Sequence, residues 1–498
     1  MKNIGVKQSY YTENYRPQFH FSPERQWMND PNGMVYYNGE YHLFYQYHPN
    51  GITWGPMHWG HAVSKDLIHW EQLPIALAPD EHGMIFSGSA VVDWNDTSGF
   101  FDGKSGLVAI FTHADTYPNS DSPRQRQSLA YSKDNGRTWE KYEGNPVLTD
   151  ESITDFRDPK VFWHKETNQW VMVLAAGQTV RLYTSPNLKD WDFASEFGEN
   201  QGSHQGVWEC PDLFELAVDG NPNHKKWVLF VSIGDNPAYE EGSRTQYFIG
   251  SFDGKTFTNE YAPEETLWVD KGRDNYAGVS WSDIPQEDGR RIYVGWMSNW
   301  KYANVIPTKE WRGAMTIPRV LSLKTTKDGI RLVQTPVKEL QVIRDKAIFL
   351  NSEIITPNEN ILSNELGNQL EIIAEFELDT ATVFGFKVCK SAYEETIIGY
   401  DTEKREMFID RTKSGDSSFH ESFVGVHNGN LVPQDNKVKF HIFVDWSSVE
   451  VFGNEGELVI TDLIFPSPES NQIELYAKGG KVKLNSLELY MLKSIWSK

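Results

Sequence analysis

Three acidic residues occupy equivalent places in a pattern that recurs along the chain. Asp30, Asp158 and Glu209 each lie just before an apolar run, which leads through a polar turn into a second apolar run. Two such runs joined by a turn are typical of a β-hairpin. Taken singly, each acid is typical of a turn or an exposed surface. Together, at equivalent places of a repeated unit, they predict one pocket in which neighbouring carboxyl groups carry out acid/base chemistry.

A repeated turn indicates which elements bring these acids together. A short segment opens on Ser, continues with Asp or Asn and closes on an aromatic residue. It occurs four times, at residues 64–70, 132–139, 185–191 and 251–257. Two further candidate inner strands, at residues 86–92 and 276–281, lack the acid. Five units at a spacing of roughly fifty to seventy residues predict a five-bladed β-propeller over residues 1–335, with the acids aimed at its axis. The alternative is an unrelated all-β chain with accidental Trp spacing.

The pattern changes near residue 335. Residues 335–343 become briefly helical, which predicts a linker over residues 336–350. Beyond it, apolar and polar residues alternate with period two between closely spaced turns, which predicts a β-sandwich over residues 351–498. This part repeats no acid, so we expect a structural or auxiliary role for it. The predicted fold class is therefore all-β, a five-bladed propeller followed by a sandwich.

Composition narrows the class of partner. The 498 residues suffice for two domains. Aromatic residues make up 13% of the chain, including 18 Trp, and such residues pack in sheets or stack on flat ligands such as sugars. The formal net charge of -22 argues against nucleic acid or an anionic membrane as partner. A neutral substrate is therefore expected, while the oligomeric state is left open.

No cofactor or metal ion is expected. The two cysteines, Cys210 and Cys389, are far apart and form neither a disulfide framework nor a cysteine metal site. His58 and His61 have no third ligand in register, and residues 93–99 lack the closing Glu of a calcium loop. No apolar run is long enough to span a bilayer. The first residues lack the apolar core of a secretory signal, so a cytoplasmic location is expected, with a secreted mature form as the alternative.

Six segments, taken in order, resemble the signatures of glycoside hydrolase family 32. They lie at residues 27–33, 44–47, 54–61, 86–89, 156–159 and 208–211. Residues 443–452 resemble the hallmark of that family's C-terminal sandwich. Within the family, the chain is most similar to bacterial levanases and exo-inulinases. The resemblance covers nearly the whole chain and implies the same fold, a five-bladed propeller and a sandwich.

The resemblance implies an exo-acting β-fructosidase. Such an enzyme hydrolyses terminal non-reducing β-D-fructofuranosyl residues of levan, inulin, fructo-oligosaccharides and sucrose, with retention of configuration. An invertase confined to sucrose is the nearer alternative, and a non-catalytic carbohydrate-binding propeller belongs to a different class. A fructosyltransferase is less favoured, because no feature of the chain favours a sugar acceptor over water. The choice between β-2,6 and β-2,1 linkages is left open, since it depends on loop shape.

The resemblance also assigns roles to individual residues. It implies that Asp30 is the nucleophile, that Glu209 is the acid/base, and that Asp158 stabilises the transition state by holding sugar hydroxyls. Asn275 stands where the family commonly has an aromatic residue, which puts the lining near Tyr276 in doubt. Trp296 is either an apolar wall for the furanose or blade core. The full set of expected substrate-binding residues is Asn29, Gln46, Trp54, Phe86, Ser89, Arg157, Tyr276 and Trp296.

Overall fold

A computed structural model describes residues 10–496, and strands make up nearly all of its regular structure. Within these residues the one helix is the short 3-10 helix Lys338–Ile343, where the sequence predicted a helical turn. No helix in the described range has the length and apolar character needed to cross a membrane. The prediction of an all-β fold is confirmed.

Residues 26–336, all within the described part of the chain, form five antiparallel blades of four strands each. We number the blades I to V in chain order. In each blade the strands are given from the innermost outward. Blades I and II consist of Gln26–Tyr37, Glu40–His48, His58–Ser64 and Trp70–Leu77, and of Met84–Asp93, Gly106–Thr116, Pro123–Ser132 and Glu140–Lys141, respectively. Blade III consists of Phe156–His164, Gln169–Ala176, Thr179–Ser185 and Asp192–Phe197; blade IV of Trp208–Val218, Asn221–Ile233, Arg244–Phe252 and Phe257–Asn259; and blade V of Tyr276–Ser280, Arg291–Trp296, Arg319–Thr326 and Gly329–Pro336.

The blades close into a ring. Each inner strand contacts the inner strand of the next blade, and that of blade V contacts that of blade I. The short strand Trp311–Arg312 pairs in parallel with the start of blade I and helps to close the ring. Two other short strands, Leu148–Thr149 and Leu267–Trp268, extend blades II and IV. The predicted five-bladed propeller is confirmed.

The apolar runs of the sequence are continuous because each blade packs on both faces. In Gln169–Ala176 every residue after the first is buried. Met172 and Leu174 point into the core shared with blade II, whereas Val171 and Val173 point into the core shared with blade IV. Burial of each such side chain stabilises the fold by about 1.5–3 kcal/mol, which holds neighbouring blades together.

The repeated Ser–Asp/Asn segment is the turn between the third and fourth strands of a blade. In blade I, Asp66 Oδ1 accepts hydrogen bonds from the hydroxyl of Ser64 and from the backbone N–H groups of Ile68 and His69. The indole of Trp70 then donates to the Leu67 carbonyl. Blades II and III repeat the arrangement. A local side-chain turn therefore starts the outer strand, as the sequence predicted.

The C-terminal part is a sandwich of two antiparallel sheets with an apolar core between them. The six-stranded sheet contains, in order, Arg344–Ile355, Val482–Leu492, Leu370–Glu377, Lys437–Asp445, Ser448–Gly453 and Leu458–Leu463. The five-stranded sheet contains, in order, Val426–Asn430, Glu406–Lys413, Glu395–Asp401, Val383–Lys390 and Gln472–Lys478.

The connection between the domains is shorter than the linker predicted at residues 336–350. The strand Arg344–Ile355 already pairs with Val482–Leu492, so the sandwich begins at Arg344. Most side chains of this edge strand are exposed. The strand therefore lacks the alternation of apolar and polar residues by which a strand is recognised in the sequence.

Candidate active site

An irregularity at the same end of all five inner strands shapes the propeller axis. Each inner strand shifts register against its neighbour there, which is the mark of a β-bulge. The shifts fall between Met28 and Pro31, Ile85 and Gly88, Arg157 and Lys160, Glu209 and Asp212, and Tyr276 and Val279. All three acids stand within these bulges or at their edge. Because a bulge redirects side chains, the acids turn toward the axis.

A cavity of about 430 Å³ opens at this end of the axis, a size suited to a small saccharide. Its deep wall is polar and buried, with Asn29, Gln46 and Asp158 each less than 7% exposed. Its rim is aromatic, and Trp54 there is 42% exposed. The lining residues are Asn29, Asp30, Gln46, Trp54, Phe86, Ser87, Gln125, Asp155, Arg157, Asp158, Glu209, Trp300 and Asn304.

The carboxylate of Asp30 is fixed by hydrogen bonds to both of its oxygens. Ser87 Oγ donates to Oδ2 at 2.7 Å, and Asn29 Nδ2 donates to Oδ1 at 3.0 Å. Asn29 is itself held by the indole N–H of Trp27, which donates to its Oδ1 at 2.8 Å. Donors of this kind favour the ionised carboxylate and prevent it from rotating.

Cys210 links Asp30 to Asp158. Its thiol lies 3.5 Å from Asp30 Oδ2 and 3.4 Å from Asp158 Oδ2, and its backbone N–H donates to the same Asp158 oxygen at 2.9 Å. Both Cys210 and Asp158 have left-handed backbone angles, with φ of 45° and 67°. Non-glycine residues pay for that conformation with strain, which is typical of functional sites.

Glu209 is held from two sides. Arg157 donates to Oε1 through Nε at 3.2 Å and Nη2 at 2.9 Å, and the hydroxyl of Tyr276 hydrogen-bonds Oε2. Arg157 is anchored in turn by Asp155 Oδ1 at 2.6 Å. A side chain held at both oxygens can present a proton in one fixed direction.

The surroundings of Asp30 and Asp158 raise the pKa of both carboxyl groups. Burial and the charge of Glu209 raise the pKa of Asp30, against the hydrogen bonds from Ser87 and Asn29. Burial also raises the pKa of Asp158; Arg157 opposes this shift, and the charges of Glu209 and Asp30 add to it. Acids whose pKa values are raised by desolvation and mutual repulsion mark a site of proton transfer.

Ser89, expected to bind a sugar hydroxyl, does not reach the cavity. Its hydroxyl donates to the Pro159 carbonyl at 2.8 Å and accepts the Val161 N–H at 3.0 Å. It therefore joins the inner strands of blades II and III. Ser87 stands in its place at the carboxylate of Asp30.

Trp296 and Tyr276 lie behind the cavity wall. Each is 1% exposed, and Trp296 packs against Trp27 and Trp300 with ring centroids 6.0 and 4.7 Å apart. Trp296 is therefore blade core, and Trp300 provides the aromatic surface at the rim. Tyr276 reaches the site only through its hydroxyl. Asn275, bonded to Tyr293 and Asp270, is part of the interior.

Five cavity residues were not expected from the sequence. Ser87 belongs to the same short motif as Ser89, and Trp300 follows Trp296 by four positions, so both had a local signal. The others come from loops and from strand ends that only the fold brings to the axis. The five are Ser87, Gln125, Asp155, Trp300 and Asn304.

The two motifs weighed as metal sites have structural contacts. His61 Nε2 lies 3.0 Å from His42 Nδ1, and its ring stacks on Phe44. Asp93 accepts hydrogen bonds from Thr97 and Ser98 within its own turn. A larger cavity of about 910 Å³ lies between propeller and sandwich, but it gathers no group of carboxyls like that at the axis. We therefore assign the active site to the smaller cavity, because it contains the cluster of carboxyl groups.

Comparison with known proteins defines the class. The N-terminal domain of glycosyl hydrolases family 32 matches residues 20–336, and the family's C-terminal domain matches residues 339–491. The chain belongs to glycosyl hydrolases family 32 and is a glycoside hydrolase.

Individual relatives are similar to this protein over nearly the whole chain. A levanase of Bacillus subtilis is 58% identical over 493 residues, which span 98% of this chain and 72% of the relative. An extracellular exo-inulinase of Aspergillus ficuum is 43% identical over 520 residues, spanning 98% of this chain and 96% of the relative. The crystal structure of exo-inulinase from Aspergillus awamori superposes with a TM-score of 0.90 at 41% identity, covering 98% of this chain and all of that one.

Proposed function

We propose that this protein is an exo-acting β-fructosidase, which releases terminal fructose from β-fructans and sucrose with retention of configuration. The observation that carries the proposal is the convergence of Asp30, Asp158 and Glu209 in one cavity, with the carboxyls of Asp30 and Glu209 each hydrogen-bonded at both oxygens. The levanase and exo-inulinase relatives support the choice of fructans as substrate.

The proposed reaction has two steps. In the first, an Asp30 oxygen bonds to the anomeric carbon of the terminal fructosyl unit while the glycosidic bond breaks, and Glu209 donates its proton to the leaving oxygen. In the second, Glu209 takes a proton from water, the water oxygen attacks the same carbon, and the Asp30 carboxylate is restored. Asp158 accepts hydrogen bonds from the sugar hydroxyls as positive charge develops on the ring.

The depth of the cavity supports action at chain ends. Its buried polar wall, formed by Asn29, Gln46 and Asp158, suits the hydroxyls of one terminal unit. The partly exposed rim, with Trp54 and Trp300, suits the sugar that leaves. A cavity with one buried wall and one open rim accepts the end of a chain rather than its middle.

The test is the product profile of the purified protein on levan, inulin, sucrose and raffinose. Fructose as the only early product from the polymers supports exo action, and turnover of sucrose and raffinose alone would favour the invertase alternative. No fructose from any of the four would refute the proposal and favour a binding module.

The acid assignment is tested by Asp30→Asn and Glu209→Gln. Each is expected to lower kcat by about a thousandfold or more, because each removes a group that acts directly on the reacting carbon or its leaving oxygen. Asp283→Asn is the matched control, since Asp283 is a half-buried acid outside the cavity whose carboxylate accepts hydrogen bonds from the Val92 N–H and the Trp94 indole. Wild-type rates in both active-site variants would disprove the assignment.

The partner and location proposals follow from the same substrate. The strongly negative chain suits a neutral saccharide rather than nucleic acid or an anionic membrane. The cytoplasmic location expected from the sequence stays a prediction, and the extracellular Aspergillus relative favours the secreted alternative. Fractionation of the native host, with activity followed in medium and cell lysate, decides between them.

A further inference from the structure

One loop of the propeller forms part of the cavity rim. Residues 297–308 connect the second strand of blade V to the short strand Trp311–Arg312 and bring Trp300 and Asn304 to the cavity. The side-chain Oδ1 of Asn304 accepts the backbone N–H of Trp54 at 2.9 Å. The position of this loop therefore determines where Trp300 lies. It also supports Trp54, the most exposed aromatic residue at the rim.

The other side of the same loop is buried in the sandwich. Tyr302, which lies between the two rim residues in sequence, is 2% exposed and belongs to an apolar cluster with Phe423, Leu463 and Phe465. Its ring meets Phe423 edge-on, with centroids 5.3 Å apart. The loop thus has one face toward the substrate cavity and one face on the second domain.

A charged group of the sandwich fixes this contact. Arg411 donates through Nη2 to the Tyr302 hydroxyl at 3.0 Å and through Nη1 to Asp274 Oδ2 at 2.6 Å. The Tyr302 hydroxyl donates to Asp274 Oδ1 at 2.6 Å, which closes a triangle of three buried groups. The guanidinium also lies 4.0 Å over the ring of Phe423. A buried ion pair with these bonds resists displacement, because either charge left alone would be desolvated without a partner.

The triad is also connected along the chain to the residue that contacts Glu209. Asp274 precedes Tyr276 by two residues, and the Tyr276 hydroxyl contacts Glu209. The cavity-lining residues of the described chain all come from the propeller. The sandwich can therefore influence the site only through propeller residues that it contacts.

We propose that Arg411 is a positioning residue through which the sandwich sets the substrate specificity of the propeller. Together with Asp274 and Tyr302, it holds residues 297–308 so that the rim contacts the sugar units beyond the terminal fructosyl unit. This inference rests on the proposed function, since it assigns the rim to the leaving part of a fructan. It gives the sandwich a role in specificity in addition to its structural one.

The test compares Tyr302→Phe and Arg411→Met with wild type on sucrose and on fructo-oligosaccharides of three and four units. Tyr302→Phe removes one hydroxyl and keeps the ring packing and the Arg411–Asp274 pair, so it is expected to fold. We expect its KM for the longer substrates to rise about three- to tenfold, because the loop loses the bonds of this hydroxyl to Arg411 and Asp274, with kcat nearly unchanged. The KM for sucrose should rise less. Arg411→Met should give the larger effect, and Arg411→Lys, which keeps the charge but not the fork, an intermediate one.

Hydrogen exchange of residues 297–308 provides a readout that needs no substrate. In Tyr302→Phe and in Arg411→Met, the backbone amides of this segment are expected to exchange faster than in wild type. Arg344→Met is the matched control: it breaks the pair with Glu371, a 2% exposed acid on another strand of the sandwich that contacts neither residues 297–308 nor the cavity, and should lower stability without altering KM or exchange in the loop. Equal loss of oligosaccharide affinity in the control, or unchanged exchange and KM in Tyr302→Phe and Arg411→Met, would overturn the proposal. Failure of the wild type to release fructose would instead refute the proposed function. The exchange result would still show whether Arg411 and Tyr302 hold residues 297–308 in place.

Discussion

Replacement of Ser87 by alanine isolates one hydrogen bond to the proposed nucleophile. Ser87 Oγ donates to Asp30 Oδ2 at 2.7 Å, and the serine is only 5% exposed. The hydroxyl favours the ionised form of Asp30, so its loss raises the pKa of that carboxyl. The first step needs the ionised carboxylate. As the pH is lowered, the variant should therefore lose activity at a higher pH than wild type.

The size of the shift follows from the strength of the bond. A hydrogen bond to a charged group contributes about 1.5–3 kcal/mol, and about 1.4 kcal/mol corresponds to one pKa unit. Asn29 still donates to the other oxygen at 3.0 Å, and the Cys210 thiol stays near the vacated one. We therefore expect the lower end of the range, a rise of about one unit.

The assay is the pH dependence of kcat/KM for sucrose, which reports groups of the free enzyme. The acidic limb of Ser87→Ala should move up by about one unit, and the rate on the plateau should fall less than the rate at low pH. Ser89→Ala is the control, because that equally buried serine bonds only to backbone groups of Pro159 and Val161. It should lose about 1 kcal/mol of stability and keep the acidic limb in place. Coincident acidic limbs for Ser87→Ala and wild type would refute the reasoning.

Two further outcomes are expected. Trp54→Ala should raise KM for fructo-oligosaccharides about three- to tenfold, the loss of one aromatic contact, while kcat for sucrose changes little; unchanged KM would remove Trp54 from the rim. His20 packs between Asp445 at 2.7 Å and Glu450 at 2.6 Å, and these acids outweigh burial and raise its pKa to about 9. Because the folded pKa exceeds the unfolded value of about 6.5, this stabilisation is complete below pH 6.5 and is lost as pH rises through 9, on the order of 3 kcal/mol. Chemical denaturation at pH 6 and 9.5 should show that loss in wild type, and an equal loss in His20→Gln would contradict it.

The strands and blades could be predicted because their signals are local. Asp66 and Ser64 close their turn within a few residues, and the apolar runs on either side report burial on both faces. The start of the sandwich was predicted too late for a corresponding reason. Arg344–Ile355 is an edge strand with mostly exposed side chains, and only its pairing partner, at the far end of the chain, reveals it.

The candidate site was predictable to the level of the acids but not of their partners. Ser87 and Ser89 belong to one motif, and the bulge together with the packing of adjacent blades decides which hydroxyl meets Asp30. The same holds for Trp296 and Trp300, of which one is core and the other faces the cavity. Asn304 carries no local signal, since its partner Trp54 lies 250 residues away.

The sequence by itself determined the all-β class, the repeat and the three acids, because strand periodicity, turn chemistry and acidic motifs are properties of neighbouring residues. Tertiary structure alone decided which side chains hold those acids, where the rim aromatics lie, and how Arg411 of the sandwich reaches a propeller loop. These contacts join residues of different blades and different domains. Their geometry depends on bulges and on domain packing, which no short stretch of sequence encodes.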